Sequence, residues 1–188
     1  MPFLSICTRT YNRPEALQQC KRSVLGQADL DLEHIILRDT VGVGVAEAHR
    51  LFLNAQPRGE YVMILDDDDL IASPWFVSDL KAAARAYDPD VIVFKMHNAE
   101  FGILPDQFVW QGQPIHGHIS GCNVAVRSHV WDACIWSIAT DGEGGDPVYH
   151  SDFIYLQEVW RYTQRIHWMD KVQVVVSRVS RGAMEGER

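Results

Sequence analysis

The chain has 188 residues, 47% of them hydrophobic, with 17 Lys and Arg against 25 Asp and Glu and a formal net charge of −8. That length and apolar content can bury one substantial core without disulfides or metals, and the acidic balance excludes a protein that coats DNA through bulk positive charge. The four cysteines Cys7, Cys20, Cys122 and Cys134 form no CxxC pair, so buried free thiols are expected rather than a disulfide framework or a zinc site. No apolar run approaches the roughly 20 residues that span a bilayer. Met1-Pro2-Phe3-Leu4-Ser5 passes straight into a strand pattern without a charged leader, so a soluble, cytoplasmic protein is expected, with peripheral membrane association as its only route to a bilayer.

Phe3 to Thr8 reads as a first strand, and Arg9-Thr10-Tyr11-Asn12-Arg13-Pro14 as a turn feeding a helix, because Asn and Pro form turns and Pro suits a helix's first turn. Leu17, Cys20, Val24 and Leu25 fall at helical spacing between Glu15 and Gln27, and Gly26 can stop that helix. His34 to Leu37 is a second strand, ending at Arg38-Asp39. Gly42 and Gly44 precede a helix pattern from Val45 to Leu53, and Tyr61 to Leu65 is a third strand. Ser73-Pro74 offers an N-cap and first-turn pair for a helix through Tyr87, and Val91 to Phe94 is a fourth strand. Strand and helix alternate throughout, which predicts a parallel sheet covered on both faces.

From Asn98 to His118 the pattern dissolves into Gly, Pro, Gln and aromatic residues, so irregular structure or a small hairpin near Phe108-Val109-Trp110 is expected. Asn123 to Val126 resumes as a strand, Ser128 caps a helix through Ile135, and the Gly-rich acidic stretch from Thr140 to Pro147 is a candidate lid. Ser151 or Asp152 opens a last helix, Phe153 to Gln164, and Ile166 to Val176 is a last strand before a polar tail. No repeat or long linker divides the chain, so one domain is expected.

The most informative feature is Tyr61-Val62-Met63-Ile64-Leu65 running directly into Asp66-Asp67-Asp68-Asp69. Carboxylates crowded at the end of a buried strand need a neutralising partner, a divalent cation foremost, and open α/β sheets bind ligands outside the carboxyl ends of their strands. A solvated turn in an interaction domain would carry the same acids without such a partner.

The segments Leu4 to Pro14, Ile35-Ile36-Leu37-Arg38-Asp39 and Gly59 to Asp69, in this order and spacing, resemble the family 2 glycosyltransferases of the GT-A fold, with the likeness reaching from Phe3 to about Val176. The resemblance implies a Rossmann-like, mixed, mostly parallel sheet with helices on both faces in a single compact α/β domain over 1–188, with a donor-binding half at about 1–97, an acceptor-side half at about 98–177 and a tail at 178–188. It implies a metal-dependent, inverting transfer of a sugar from a nucleoside-diphosphate sugar, a UDP-sugar favoured, to an acceptor hydroxyl. Asp68 would ligate Mn²⁺ or Mg²⁺, Asp66 or Asp67 would reach the ribose hydroxyls or a metal-bound water, and His150 is a candidate third ligand. Such a cation needs only one or two carboxylates beside phosphate oxygens.

By the same resemblance Asp39 accepts a hydrogen bond from the base, Tyr11 stacks on it, and Thr10, Asn12 and Arg13 shape the loop or approach the nucleotide; for Asn12-Arg13-Pro14 a plain turn and helix start is the equal alternative. Asp152 would be the general base. Ser151 replaces the usual first acid there, which keeps Asp146, Asp141 and Glu143 as alternatives and a helix N-terminal acid as the other reading of Asp152. Gly121-Cys122-Asn123 matches the acceptor-side region, where a small residue lets the backbone approach the donor sugar; an ordinary strand start fits equally. Trp110, Trp131, Trp136 and Trp160 are expected mostly in the core, with a sugar platform among them as the alternative, and His118 and His167 are weaker candidates than His150.

The acceptor could be a glycan, a protein, a lipid-linked sugar or, as a minority reading, modified DNA, because Arg161, Arg165, Lys171, Arg178 and Arg181 bias the C-terminal third toward positive charge. Two other functions stay open. A noncatalytic nucleotide-sugar or cation-binding domain would fit the Ser151 departure, and a nucleotidyltransferase would fit the aspartates but calls for a Gly-rich phosphate loop, whereas residues 9–14 contain no glycine.

Overall fold

In the computed structural model, which describes residues 1–43, 48–139 and 151–176, hydrophobic side chains alternate across one sheet. Tyr61 and Met63 pack on one face and Val62 and Ile64 on the other; Ile92 and Phe94 oppose Val91 and Val93 in the same way. Both faces are covered, which is why these strands are apolar at nearly every position.

The strands are β1 (Leu4–Thr10), β2 (Leu32–Arg38), β3 (Tyr61–Ile64), β4 (Leu70–Ile71), β5 (Val91–Asn98), β6 (Gly102–Leu104), β7 (Val124–Arg127) and β8 (Ile166–Val176). The helices are α1 (Pro14–Leu25), α2 (Phe76–Tyr87), α3 (Ser128–Cys134) and α4 (Ser151–Tyr162). Helix α1 through Cys20 and Val24, and α2 through Phe76, Val77 and Leu80, fill one core, while α3 through Val130 and Trp131, and α4 through Tyr155, Leu156 and Trp160, fill the other. All four cysteines are buried and free, as expected.

The sheet order is β2-β1-β3-β7-β5-β8-β4, with β6 paired to β5. Strands β1, β2, β3, β5 and β8 run one way, and β7, β4 and β6 run against them. The sheet is therefore mixed and mostly parallel, as the resemblance implies, whereas the alternation of strand and helix accounts only for its parallel part. A parallel partner needs a crossover to the opposite edge, but after β5 the chain stays at the edge it has reached, turns through β6 and re-enters as antiparallel β7. Residues Gly121–Asn123, a single 3₁₀ turn just before β7, thus come to lie beside the carboxyl end of β3.

Three local expectations are refined. A hairpin forms at β5–β6, where Asn98 Oδ1 accepts the Glu100 and Phe101 N–H groups at 2.8 and 3.2 Å, while the stretch around Phe108 is irregular, the other expectation for it. Ser73 does not cap α2 directly: its hydroxyl accepts the Trp75 N–H at 3.2 Å and the helix starts at Phe76. Of the helix expected over Val45 to Leu53, Val45 to Glu47 lie outside the described residues, Ala48 and His49 are helical, and Arg50–Asn54 is a 3₁₀ helix.

One close approach holds the first and third strands in register. Gly59 donates its N–H to the buried Ser5 hydroxyl at 2.8 Å, and that hydroxyl donates to Glu33 at 2.7 Å. A Cβ on Gly59 would stand 2.5 Å from the Ser5 backbone nitrogen. Gly59→Ala is expected to destabilise the fold by about 1–3 kcal/mol, as overpacking does, and to lower Tm by about 2–4 °C per kcal/mol; an unchanged melting curve would contradict this contact.

Candidate functional site

The four aspartates form the turn that leaves β3, closed by the Asp69 N–H on the Asp66 carbonyl at 3.0 Å. Their side chains separate by environment. Asp67 is fully buried and Asp69 nearly so, whereas the Asp66 side chain is 40% exposed. Arg13 binds two of them, with Nη2 2.6 Å from Asp67 and Nη1 3.1 Å from Asp68, and Arg9 Nε lies 3.3 Å from Asp66. Burial raises the Asp67 pKa, with Asp68 and Asp66 adding to the rise, while the Thr10 hydroxyl and the Arg13 guanidinium act in the opposite sense.

A cavity of about 310 Å³ opens at this edge, and Asp66, Asp68, Asp69 and Asp152 all line it. Asp152 sits in the first turn of α4, partly buried. Burial and then the negative charge of Asp66 raise its pKa, while the backbone N–H groups of Gly121 and Phe153 and the nearby His116 oppose the rise. Gly121 sits close against β3: a Cβ there would lie 3.1 Å from the Ile64 Cβ, a tight contact that Ile64 would have to relax. His49 also lines the cavity. Burial, and then the positive charge of Arg9, push its pKa down to about 4 against the pull of Asp66, so it faces the site as a neutral imidazole. Sequence spacing assigns His49 only to a helix, because a solitary histidine carries no ligand pattern.

Tyr11 and Asp39 meet at the Gly42 turn, apart from the cavity lining, and Asn12 follows with φ +45°. Tyr11 is 42% exposed, and its ring packs so closely on Gly42, which has φ +74°, that a Cβ there would be 2.5 Å from the phenol oxygen. Asp39 accepts the N–H groups of Val41, Gly42 and Val43 at 2.8–2.9 Å; burial works against ionisation, but these three donors hold its carboxyl below the usual range. Thr10 is buried and its carbonyl accepts the Asp39 N–H at 2.9 Å, which ties the ends of β1 and β2 together.

Other candidates fall elsewhere. His150, Asp141, Glu143, Asp146 and the stretch proposed as a lid lie outside the described residues, as does the side chain of Ser151. Trp131 and Trp160 are buried, Trp110 and Trp160 each meet Trp168 edge-on, and exposed Trp136 bonds to the Ala133 carbonyl. Arg161, Arg165 and Lys171 pair with Glu158, Asp88 and Asp79, while Arg178 and Arg181 lie outside the described residues. His118 approaches Asp106 at 3.8 Å and His167 stacks on Tyr87. No helix among the described residues is long and apolar enough to cross a membrane.

Among the described residues no three His, Cys, Asp or Glu side chains form a set that could hold a metal alone. Asp66 and Asp68 nevertheless present two carboxylates to the same cavity, and a hard cation that keeps waters and takes phosphate oxygens needs no more from the protein. The donor set fits Mg²⁺ or Mn²⁺ in that mode.

No protein-family model matches the chain and no curated protein matches it. Among solved structures the chain is similar to residues 1–349 of S. aureus TarS in complex with UDP-GlcNAc, at 15% identity and a TM-score of 0.71 over 100% of this chain and 62% of that one. A second structure of TarS 1–349 gives 16% identity and a TM-score of 0.70 over 94% of this chain and 60% of that one. The mannosyltransferase PcManGT from Pyrobaculum calidifontis, in complex with GDP-Man and Mn²⁺, gives 14% and 0.59 over 96% and 58%. The chain thus spans about 60% of the length of these structures. At such identities the likeness establishes the fold, a single α/β domain of the GT-A-like type.

Proposed function

We propose that the chain is an inverting glycosyltransferase that moves a sugar from a nucleoside-diphosphate sugar, a UDP-sugar foremost, to an acceptor hydroxyl. The observation that carries this reading is convergence: Asp66 and Asp68 from the turn after β3 and Asp152 from the start of α4 line one cavity at the sheet edge where α/β folds bind ligands. Solved structures of the same fold hold UDP-GlcNAc or GDP-Man, which supports a nucleotide-sugar donor.

In this reading residues 1–97 bind the donor. Tyr11 lies against the base, the Asp39 loop borders it, and Thr10, Asn12 and Arg13 shape the wall between base and phosphates. Asp67 acts indirectly, holding Arg13 in place from its buried position. Asp66 and Asp68 would hold Mg²⁺ or Mn²⁺, with His150 as a candidate third ligand. A cation bound there supplies positive charge that offsets the charge on the departing diphosphate.

Residues 98–177 form the acceptor side. Asp152 accepts the proton of the acceptor hydroxyl as that oxygen bonds to the anomeric carbon. The bond from this carbon to the diphosphate oxygen breaks on the opposite side, and its electron pair leaves with the diphosphate. The raised Asp152 pKa makes the carboxylate a stronger proton acceptor, and the Gly121 N–H fixes its orientation.

Asp152→Asn is expected to lower turnover by about 100-fold or more while UDP binding persists; undiminished turnover would remove Asp152 from the chemistry. A raised native pKa means that ionising Asp152 costs folded stability, a cost that begins at its unfolded pKa and is complete above its folded one. The same variant is therefore expected to melt higher than the parent at pH 7. Turnover falls as pH drops through the raised pKa, so the acid limb of the kcat/KM profile is expected above the ordinary aspartate range. In thermal shift assays, UDP with Mn²⁺ at about 100 times Kd is expected to stabilise the parent by about 2.7 kcal/mol and Asp68→Ala far less; equal shifts would contradict the assignment of Asp68.

A further inference from the structure

We infer that Phe101 is the platform on which a pyranose unit of the acceptor stacks, so that the acceptor is a saccharide or carries one; this rests on the glycosyl-transfer reading. Phe101 is 60% exposed and lines the same cavity as Asp152. It supplies the one phenyl ring among the cavity's described lining residues, beside the apolar side chains of Ile64, Met96 and Val176. Pockets that take small organic ligands combine such apolar surface with a few polar groups that orient them. A pyranose ring presents a face of C–H bonds, which suits an aromatic ring face, and hydroxyls around its rim, which suit carboxylates.

The backbone that carries the ring is fixed. Asn98, itself part of the cavity wall, accepts the N–H groups of Glu100 and Phe101 at 2.8 and 3.2 Å. Beyond the turn, Gly102 has φ +78° and pairs with Asn98, and Ile103 pairs with His97. With the backbone that carries the ring already ordered, less freedom is lost when a ligand arrives.

Position assigns the ring to the acceptor rather than the nucleotide. Tyr11 and Asp39 stand over the ends of β1 and β2, whereas Phe101 follows β5. In the order β1-β3-β7-β5, β5 is three strand spacings from β1, about 14 Å. The aspartate turn after β3 lies between them, so Phe101 lines the cavity on the side away from Tyr11 and Asp39, together with Asp152, the proposed base.

The test uses saturation-transfer NMR on the chain with UDP and Mg²⁺, with methyl pyranosides of glucose, galactose and N-acetylglucosamine as probes. Saturation is expected to reach at least one pyranoside from the parent, to fall at least fivefold in Phe101→Ala, and to survive in Phe101→Trp. Equal transfer in parent and Phe101→Ala, or none to any probe from the parent, would overturn the inference, the latter favouring an acceptor without a pyranose. Donor KM, read from UDP release, is expected within twofold of the parent in Phe101→Ala; a larger rise reassigns the ring to the donor. UDP release together with Phe101-independent pyranoside contact contradicts this inference alone. Phe101-dependent contact with no release from any UDP-sugar contradicts the transfer reading alone.

Discussion

Crowded negative charge at the end of β3 is the constraint around which the rest of the site is arranged. Two unit charges 4 Å apart interact by about 4 kcal/mol at an effective dielectric near 20, and four adjacent aspartates multiply that repulsion. Two arginines offset it, Arg9 near the end of β1 and Arg13 in the turn that follows. Arg13, at the N-cap position of α1, contacts Asp67 and Asp68, and Arg9 stands beside Asp66. Because Asp67 is buried, its charge serves to seat Arg13, and the same guanidinium fastens the β1 turn to the β3 turn. Asp66 and Asp68 remain at the cavity.

Topology then supplies the partner that this edge lacks. By re-entering the sheet antiparallel, β7 brings Gly121 against Ile64, and the Gly121 N–H meets the carboxylate of Asp152 at the start of α4. Three segments distant in sequence thus meet around one opening. Asp152 gains basicity from its burial and from Asp66, two groups that raise the energy of its ionised form. The folded state bears that strain where chemistry would use it.

Much of this was legible in the sequence, for reasons that can be named. Strands β1, β2, β3, β5 and β8 announce themselves as apolar runs between turn residues, and the aspartates stand where such a run stops. The direction of β7 was not legible, since alternating elements do not reveal a chain that returns along the same edge. Strand β4 is only Leu70–Ile71, and its partner, Val174–Val175, is more than a hundred residues away. The burial of Asp67 was also hidden, because four identical residues differ only in what faces them, and that is decided by Arg13. His49 and Phe101 left no pattern, being single residues brought to the cavity by the fold. The tryptophans, by contrast, are divided among packing partners, as expected of most of them.

The central claim is that Asp66 and Asp68 face the cavity to share a cation with a nucleotide diphosphate. The most direct measurement is a crystal structure of the chain with UDP and Mn²⁺, read through the anomalous signal of manganese. The ion is expected on Asp68, Asp66 or both and on diphosphate oxygens, with Arg13 still on Asp67. Manganese absent from this edge while UDP is bound, or held away from both carboxylates, would contradict it.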